Sequence, residues 1–234
     1  MTRSYLFALV RNDLAVILRD RSLWAMMLLA PAFFLLVRYG LPNLSLLIDF
    51  TGYEAHIVAF CAMTTVMFPA YVLSFVMLDE KDQDVLSVMR TMPVGAHVFL
   101  GYRTVFVIVL SWVCAFPVFL LNTYVPYSLT KAIGLSFLTS LTAPVLLFMV
   151  FGFAKNKIEG VTWLKLANLI IVLPFLFFFM EGPVAWTLSI VPVFWTYLSA
   201  VTKEAGQFYL YGFFGLCAHG VSIYFLFRRA IKNL

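Results

Sequence analysis

Long apolar runs are the feature of this 234-residue chain that most restricts its fold. Because an α-helix rises about 1.5 Å per residue, roughly 20 apolar residues are needed to cross the hydrocarbon core of a bilayer. Only 12% of the residues are charged, which is about half the share found in soluble domains. The sequence therefore predicts an all-α integral membrane protein with one transmembrane domain, residues 1–234, and six spans at 22–42, 55–78, 104–123, 132–154, 162–181 and 207–227.

The basic residues predict how the chain is oriented, since cytoplasmic loops carry an excess of lysine and arginine. With a cytoplasmic N-terminus, six spans leave only three of the 16 basic residues on the outer side, namely Arg38, Lys131 and Lys203. Arg38 lies near the end of the first span, where a long side chain can reach the interface. We therefore expect a multi-pass protein of the cell membrane (inner or plasma membrane), surrounded by lipid, with both termini cytoplasmic.

One further apolar segment, residues 184–201, does not fit a straight span. As a seventh span it would place the basic C-terminal residues outside, against the positive-inside bias. Pro192 interrupts it, and its aromatic residues suit a membrane interface. We expect a bent or re-entrant segment on the outer side before the last span, with a seven-span topology as the alternative.

The chain lacks the sequence patterns of common catalytic sites. It has no G-x-x-x-x-G-K-[ST] phosphate loop, HExxH, GxSxG or CxxC, and its three histidines lie on separate segments without a carboxylate at helical spacing. The predicted spans hold almost no ionisable residue, whereas proton transfer or metal binding in a membrane requires such groups. We therefore expect no enzyme activity, no catalytic, cofactor or metal site in this chain, and no nucleic-acid partner.

The loop between the second and third spans has the pattern of a short helix over residues 79–95. Apolar residues form one stripe (Val85, Leu86, Met89 and Met92), acids crowd its start, and Pro93 with Gly95 ends it. Acidic residues are unusual on the positive-inside face, because a helix that only rests on anionic lipid would be basic. The pattern favours docking into a groove of another protein; an ordinary solvated loop helix is the alternative.

The N-terminal residues 1–21 predict an amphipathic interfacial helix that leads into the first span. Its apolar stripe is Leu6, Val10, Leu14 and Ile17, and Asp13 interrupts one edge of that stripe. The amphipathic pattern is modest, so it gains weight only together with the helix predicted for the loop at 79–95.

These features together resemble the permease subunit of type-2 ATP-binding-cassette exporters. The stretch EKDQDVLSVMRTMPVGAHVFLGYR is similar to the coupling helix of that family and the start of its third span. The stretch FAKNKIEGVTWLKL is similar to its Asn-Lys-x-Glu-Gly link between spans four and five. One departure is Asp84-Val85, where many family members have Gly-Thr. The resemblance implies an N-terminal elbow helix, six spans, a coupling helix and a re-entrant outer segment.

The resemblance also implies partners and roles. A separate ATPase chain would bind ATP and Mg²⁺, and two permease copies, identical or different, would pair. Leu86 and Met89 would be apolar anchors for the ATPase, Pro93 would end the coupling helix, and polar contacts would come from Glu80, Asp84 and Arg90.

By the same resemblance, spans two and five line the path of the cargo, with Thr64, Thr65, Phe68, Phe75, Asn168, Phe175 and Phe178. These side chains suit an apolar or amphipathic cargo such as a drug, an antimicrobial peptide or a lipid; ordinary helix packing is the alternative for each of them. At the level of function, the alternative is a membrane scaffold that recruits a cytoplasmic protein without transporting anything.

Overall fold

The computed structural model describes residues 2–85, 95–180 and 182–232, which are mainly helical and contain no β-strand. The α-helices, in chain order, are α1 (Thr2–Arg19), α2 (Arg21–Leu35), α3 (Leu41–Leu44), α4 (Glu54–Asp82), α5 (Ala96–Leu120), α6 (Leu129–Ser140), α7 (Thr142–Phe153), α8 (Lys157–Phe175), α9 (Pro192–Val201) and α10 (Ala205–Ile231). A π-helical turn, Leu36–Gly40, joins α2 to α3, and 3₁₀ segments cover Leu176–Phe179 and Pro183–Ile190.

Six segments of the described chain are long and apolar enough to cross a membrane, which confirms the prediction of six spans. They are Arg21–Leu44, Glu54–Asp82, His97–Leu120, Leu129–Phe153, Lys157–Phe179 and Ala205–Ile231. The third begins at His97 rather than at residue 104. The sequence predicts a span that begins just after the charged Arg103, but that charge is paired with acids inside the protein, so the helix continues through it.

Helix α4 and the α6–α7 span form the centre of the bundle. In each of these two spans 72% of an 18-residue apolar stretch is buried, against 11–33% of such a stretch in the other four spans. Polar side chains within the core bond to their own helix: the hydroxyls of Thr65 and Ser74 donate to carbonyls four residues earlier. Helix α4 packs against α1, α2 and α5 to α9, so it connects most of the bundle.

The first span is bent, for reasons that its sequence explains. The carboxylate of Asp20 accepts hydrogen bonds from the backbone N–H groups of Ser22 and Leu23 and so caps α2. The Ser22 hydroxyl also donates to this carboxylate. That bond is the main cause that lowers the pKa of Asp20, and the backbone bonds add to it. Pro31 lies within α2, and the π-helical turn follows. Arg38 in that turn donates to the carbonyl oxygen of Leu121 at the end of α5 (2.8 Å), so its side chain does reach towards a helix end.

The segment before the last span is bent as the sequence predicted. The 3₁₀ helix Pro183–Ile190 and α9 meet at an angle of 117°. The bend falls at Val191, directly before Pro192, which occupies the first turn of α9, where its missing N–H costs no hydrogen bond. By length and composition the pair is a broken span or a re-entrant loop.

The predicted start of the coupling helix at Asp79 is wrong. Helix α4 continues to Asp82 without a break, so Asp79, Glu80 and Asp82 lie in the last turns of a span helix rather than at the start of a new one. The physical reason is that Asp79 and Glu80 pair with cations of neighbouring helices. The helix ends at Asp82 with Gln83 as its C-cap, and Asp84 has φ 57°, the left-handed conformation that often follows a helix C-terminus. The other predicted docking residues, Leu86, Met89, Arg90 and Pro93, lie outside the described residues.

Candidate functional site at the charged end of α4

A cluster of four polar side chains joins the last turns of α4 to two other helices. Arg103 of α5 donates through Nη1 and Nη2 to the two carboxylate oxygens of Glu80 in α4, both at 2.6 Å. On its other edge, Nη2 and Nε donate to the carboxylate of Asp13 in α1, at 2.9 and 3.2 Å. The Tyr102 hydroxyl donates to Asp13 (2.8 Å) and accepts from Arg103 Nε (2.9 Å). We call these four residues the Arg103 cluster.

The Arg103 cluster is almost completely removed from solvent. The side chains of Arg103 and Asp13 are each 1% exposed, and that of Glu80 is 19% exposed. The guanidinium carbon also lies 4.3 Å from the centre of the Phe99 ring, a cation–π contact. A buried charge is tolerated only when it is paired and hydrogen-bonded, and here one cation satisfies two carboxylates. The geometry therefore fixes α1, α4 and α5 relative to one another.

The position of Asp13 also corrects the predicted apolar stripe of α1. Asp13 and Ile17 are buried, whereas Leu14 is 40% exposed. The packed face of α1 therefore passes through Asp13 instead of being interrupted by it. The sequence analysis does not identify this site, because a lone acid on an apolar face only interrupts the predicted stripe. The signal that could have found it is the pairing of that acid with an arginine inside an otherwise apolar span.

A second set of contacts joins the opposite side of the same helix end to the start of α8. Lys157 Nζ lies 2.7 Å from the carboxylate of Asp79, and the backbone N–H of Lys157 donates to Asp82 at 3.0 Å. Lys81 Nζ donates to the carbonyl oxygen of Ala154 at 2.9 Å. The side chains of Lys157 and Asp79 are 40% and 31% exposed, so this ion pair is more exposed to solvent than the Arg103 cluster.

The Asn-Lys-x-Glu-Gly stretch that the sequence singled out shapes this contact. Asn156 caps α8 by accepting from the backbone N–H of Glu159, and Glu159 accepts from the N–H of Lys155. A Cβ atom at Gly160 would lie only 2.4 Å from Cδ1 of Leu78. Glycine at position 160 therefore permits close approach of α8 to the end of α4.

These contacts give Glu80 an internal partner. The sequence placed Glu80 among the residues that contact an ATPase, and the structure engages both of its carboxylate oxygens with Arg103. Asp84 lies at the exposed end of α4. Its φ is positive, and glycine adopts that conformation without strain. This is a physical reason for the glycine found at this position in many members of the family that the sequence resembles.

The residues predicted for the cargo path lie on α4, on α8 and on the 3₁₀ turn that follows α8. The Tyr71 hydroxyl, which sequence reasoning did not select, donates to Oδ1 of Asn168. The Phe175 ring lies 5.0 Å from that of Phe60, and the Phe178 ring lies edge-on to His56 at 4.3 Å. These contacts join α4 to α8 and its 3₁₀ turn through α4 residues other than the predicted ones.

The exposure of these path residues differs. Thr65 and Phe75 are buried inside the chain, and Thr64 and Phe68 are partly exposed. Both threonine hydroxyls donate to their own helix backbone, and Phe68 packs on Phe33 at 5.6 Å. Asn168, Phe175 and Phe178 are also partly exposed. Among residues 2–85, 95–180 and 182–232, no group of three histidine, cysteine or acidic side chains is placed to hold a metal ion.

The sequence was compared with those of known proteins. The profile of the family described as "Fluoroquinolones export permease protein Rv2686c-like" matches residues 13–227. Two relatives from Mycobacterium tuberculosis, the fluoroquinolones export permease proteins MT2760 (strain CDC 1551 / Oshkosh) and Rv2686c (strain ATCC 25618 / H37Rv), are each 26% identical over 242 residues. Each alignment covers 96% of this chain and 93% of the relative.

The family match supports the resemblance to ATP-binding-cassette exporter permeases, and it agrees with a transporter membrane subunit rather than an enzyme. Together with the six apolar helices, it describes a multi-pass membrane protein. The match spans both sides of the α4 end, from Asp13 through Arg103 to the start of α8. The chain thus belongs to the fluoroquinolones export permease protein Rv2686c-like family.

Proposed function

We propose that this chain is the membrane subunit of an exporter driven by a separate ATPase, which binds ATP and Mg²⁺ and docks on the segment that follows α4. The observation that carries the proposal is the attachment of the α4 end to three other helices. The Arg103 cluster joins it to α1 and α5, and Lys157 joins it to α8. A displacement applied just beyond Asp84 would therefore reach several helices at once.

The length and position of α4 suit this role. Its 29 residues correspond to about 44 Å of helix at 1.5 Å per residue, enough to cross the bilayer. Because α4 is buried along most of its length, it cannot shift without moving its neighbours. A central helix with one end attached to the elbow helix α1 would transmit a displacement from the cytoplasm to the opposite end of the bundle. This requires both termini to be cytoplasmic, as the basic residues predict.

The cargo we propose is an apolar or amphipathic drug, and the names of the two mycobacterial relatives make a fluoroquinolone the first to test. The cargo would pass between two permease copies, along partly exposed aromatic side chains of α4, α8 and the 3₁₀ turn after α8, namely Phe68, Phe175 and Phe178. Apolar faces of α5 and α10 remain exposed in the single chain and are available to lipid or to the second copy.

The test is reconstitution with the ATPase that co-purifies with the chain. We expect ATP-dependent accumulation of a fluoroquinolone in inside-out proteoliposomes. The double variant Leu86→Asp/Met89→Asp should lose the ATPase during purification, because two buried carboxylates oppose docking in an apolar groove. The matched control Leu86→Ile/Met89→Leu keeps the residues apolar and should retain it.

Two outcomes would count against the proposal. Retention of the ATPase by the Asp double variant would show that docking does not use these residues. An ATPase that co-purifies but moves no cargo in the presence of ATP would favour the scaffold alternative.

A further inference from the structure

A cavity of about 620 Å³ lies at the end of the bundle opposite the Arg103 cluster. Three chain segments form it: the start of α4, the loop between α5 and α6, and the end of α9 with the residues that follow. The bent segment that includes α9 thus has a structural role here, since Ala200 and Thr202 contribute to one wall. No residue of the cavity belongs to the predicted docking or path residues.

The charges around the cavity are mostly positive. Lys131 and Lys203 line it, against one acid, Glu54. The Lys131 ammonium donates to the carbonyl oxygen of Thr202 at 2.5 Å and lies 5.4 Å from the centre of the Tyr127 ring. An ammonium group has three donor hydrogens, so a single hydrogen bond leaves it able to bind an anion as well.

Two residues of the cavity wall each carry a buried side-chain polar atom that has no hydrogen-bond partner in the structure. These atoms are Nδ1 of His56 and the hydroxyl of Tyr124, both among the buried orphaned side-chain atoms of the described residues. Leaving such an atom unsatisfied costs about 1–3 kcal/mol, so a group bound in the cavity that hydrogen-bonds to them would remove this cost. The His56 ring is fixed in place by its edge-on contact with Phe178 at 4.3 Å.

Two helices also begin at this cavity. The first turns of α4 and α6 contribute Glu54 and Lys131 to its wall. The N-terminal end of a helix carries a partial positive charge that favours anions. The remaining wall is apolar and aromatic, with Val125, Pro126 and Tyr127.

We propose that this cavity binds an organic carboxylate with a flat apolar body. The carboxylate would accept hydrogen bonds from Lys131 Nζ, the Tyr124 hydroxyl and His56 Nδ1, and the apolar body would lie against the aromatic wall. The inference deepens the proposed export function, on which it rests for the view that the ligand is cargo. Binding itself requires neither the ATPase nor transport.

The test uses the full-length chain in nanodiscs of zwitterionic lipid, with 2-naphthoate as the probe and isothermal titration calorimetry as the measurement. Empty nanodiscs give the background. We expect saturable binding of 2-naphthoate and much weaker binding of 2-naphthylmethylamine, which has the same ring system with the opposite charge. Lys131→Met and Tyr124→Phe should each weaken naphthoate binding about tenfold or more, as expected for a lost hydrogen bond to a charged group.

Three further variants separate ligand binding from a structural role. Lys131→Arg should retain most of the binding, and Glu54→Gln should strengthen it, because a repelling charge is removed. Lys165→Met is the matched control: Lys165 is exposed on α8 and lies outside the cavity, so its loss should leave the affinity unchanged. If Lys131→Met fails to fold, Tyr124→Phe and Glu54→Gln still decide the question.

Naphthoate binding that is absent, or equal for the acid and the amine and insensitive to Tyr124→Phe and Glu54→Gln, would overturn the inference. The result is independent of the transport assay. Export without naphthoate binding refutes only the cavity proposal, and binding without ATP-dependent export refutes only the proposed function.

Discussion

Replacing Arg103 by methionine tests whether the Arg103 cluster holds three helices together. The change removes the four hydrogen bonds that Arg103 donates to carboxylates and the one that it donates to the Tyr102 hydroxyl. Asp13, at 1% exposure, would keep only the hydrogen bond from Tyr102. Glu80 is 19% exposed and can be partly rehydrated. The cost therefore falls mainly on the buried carboxylate of Asp13.

The expected loss is about 3–5 kcal/mol in the free energy of unfolding, the usual effect of removing one partner of a buried ion pair. The matched control is Lys157→Met, which breaks the Lys157–Asp79 pair. Because those side chains are 40% and 31% exposed, that loss should be about 0–1 kcal/mol. Unfolding by sodium dodecyl sulfate in mixed micelles, followed by circular dichroism, measures both.

A compensated variant separates loss of the ion pair from general disruption. Asp13→Leu/Glu80→Gln/Arg103→Met removes the buried charges together and should recover most of the stability lost in Arg103→Met, because a neutral packed core can replace a buried ion pair. If Arg103→Met were no less stable than Lys157→Met, the argument that burial makes this cluster strong would be refuted.

Three further variants test other parts of the structure. Asp84→Ala should be about 1 kcal/mol less stable than Asp84→Gly, because only glycine adopts the positive φ without strain; equal stability in chemical unfolding would contradict this, and both variants lose the same carboxylate. Gly160→Ala should cost about 1–3 kcal/mol through overpacking against Leu78, and adding Leu78→Val should recover part of that loss in the same assay. Phe175→Leu should slow cargo transport in proteoliposomes about 2- to 10-fold if aromatic contacts hold the cargo, whereas Phe225→Leu, on an exposed helix face, should not; equal rates would remove Phe175 from the path.

This chain has Asp84-Val85 where many members of the resembling family have Gly-Thr. The structure suggests a different reason for this difference. From the sequence, Asp84-Val85 is a place where partner contacts could vary. In the structure, Asp84 follows the end of α4 and has a left-handed backbone conformation. The need for this conformation is sufficient to explain why glycine and aspartate occur at this position. Aspartate is among the residues that tolerate this conformation best after glycine.

The structural reason for the Asn-Lys-x-Glu-Gly stretch was likewise not readable from the sequence. Its spacing predicted a link between two spans, and its helix cap follows from local chemistry at Asn156. The need for glycine at position 160 depends on Leu78, which lies 82 positions earlier in the chain and reaches it only through packing.

The sequence alone determined that the protein is helical, with six segments long and apolar enough to cross a membrane, because a bilayer requires long apolar helices and these are visible in the order of the residues. It also determined the bend at Pro192, since proline acts locally on the backbone. Only the tertiary structure decided that α4 is central and that its acidic end is neutralised from two sides. The reason is that burial of a charge depends on partners such as Asp13 and Arg103, which are 90 positions apart in sequence and are brought together only by helix packing.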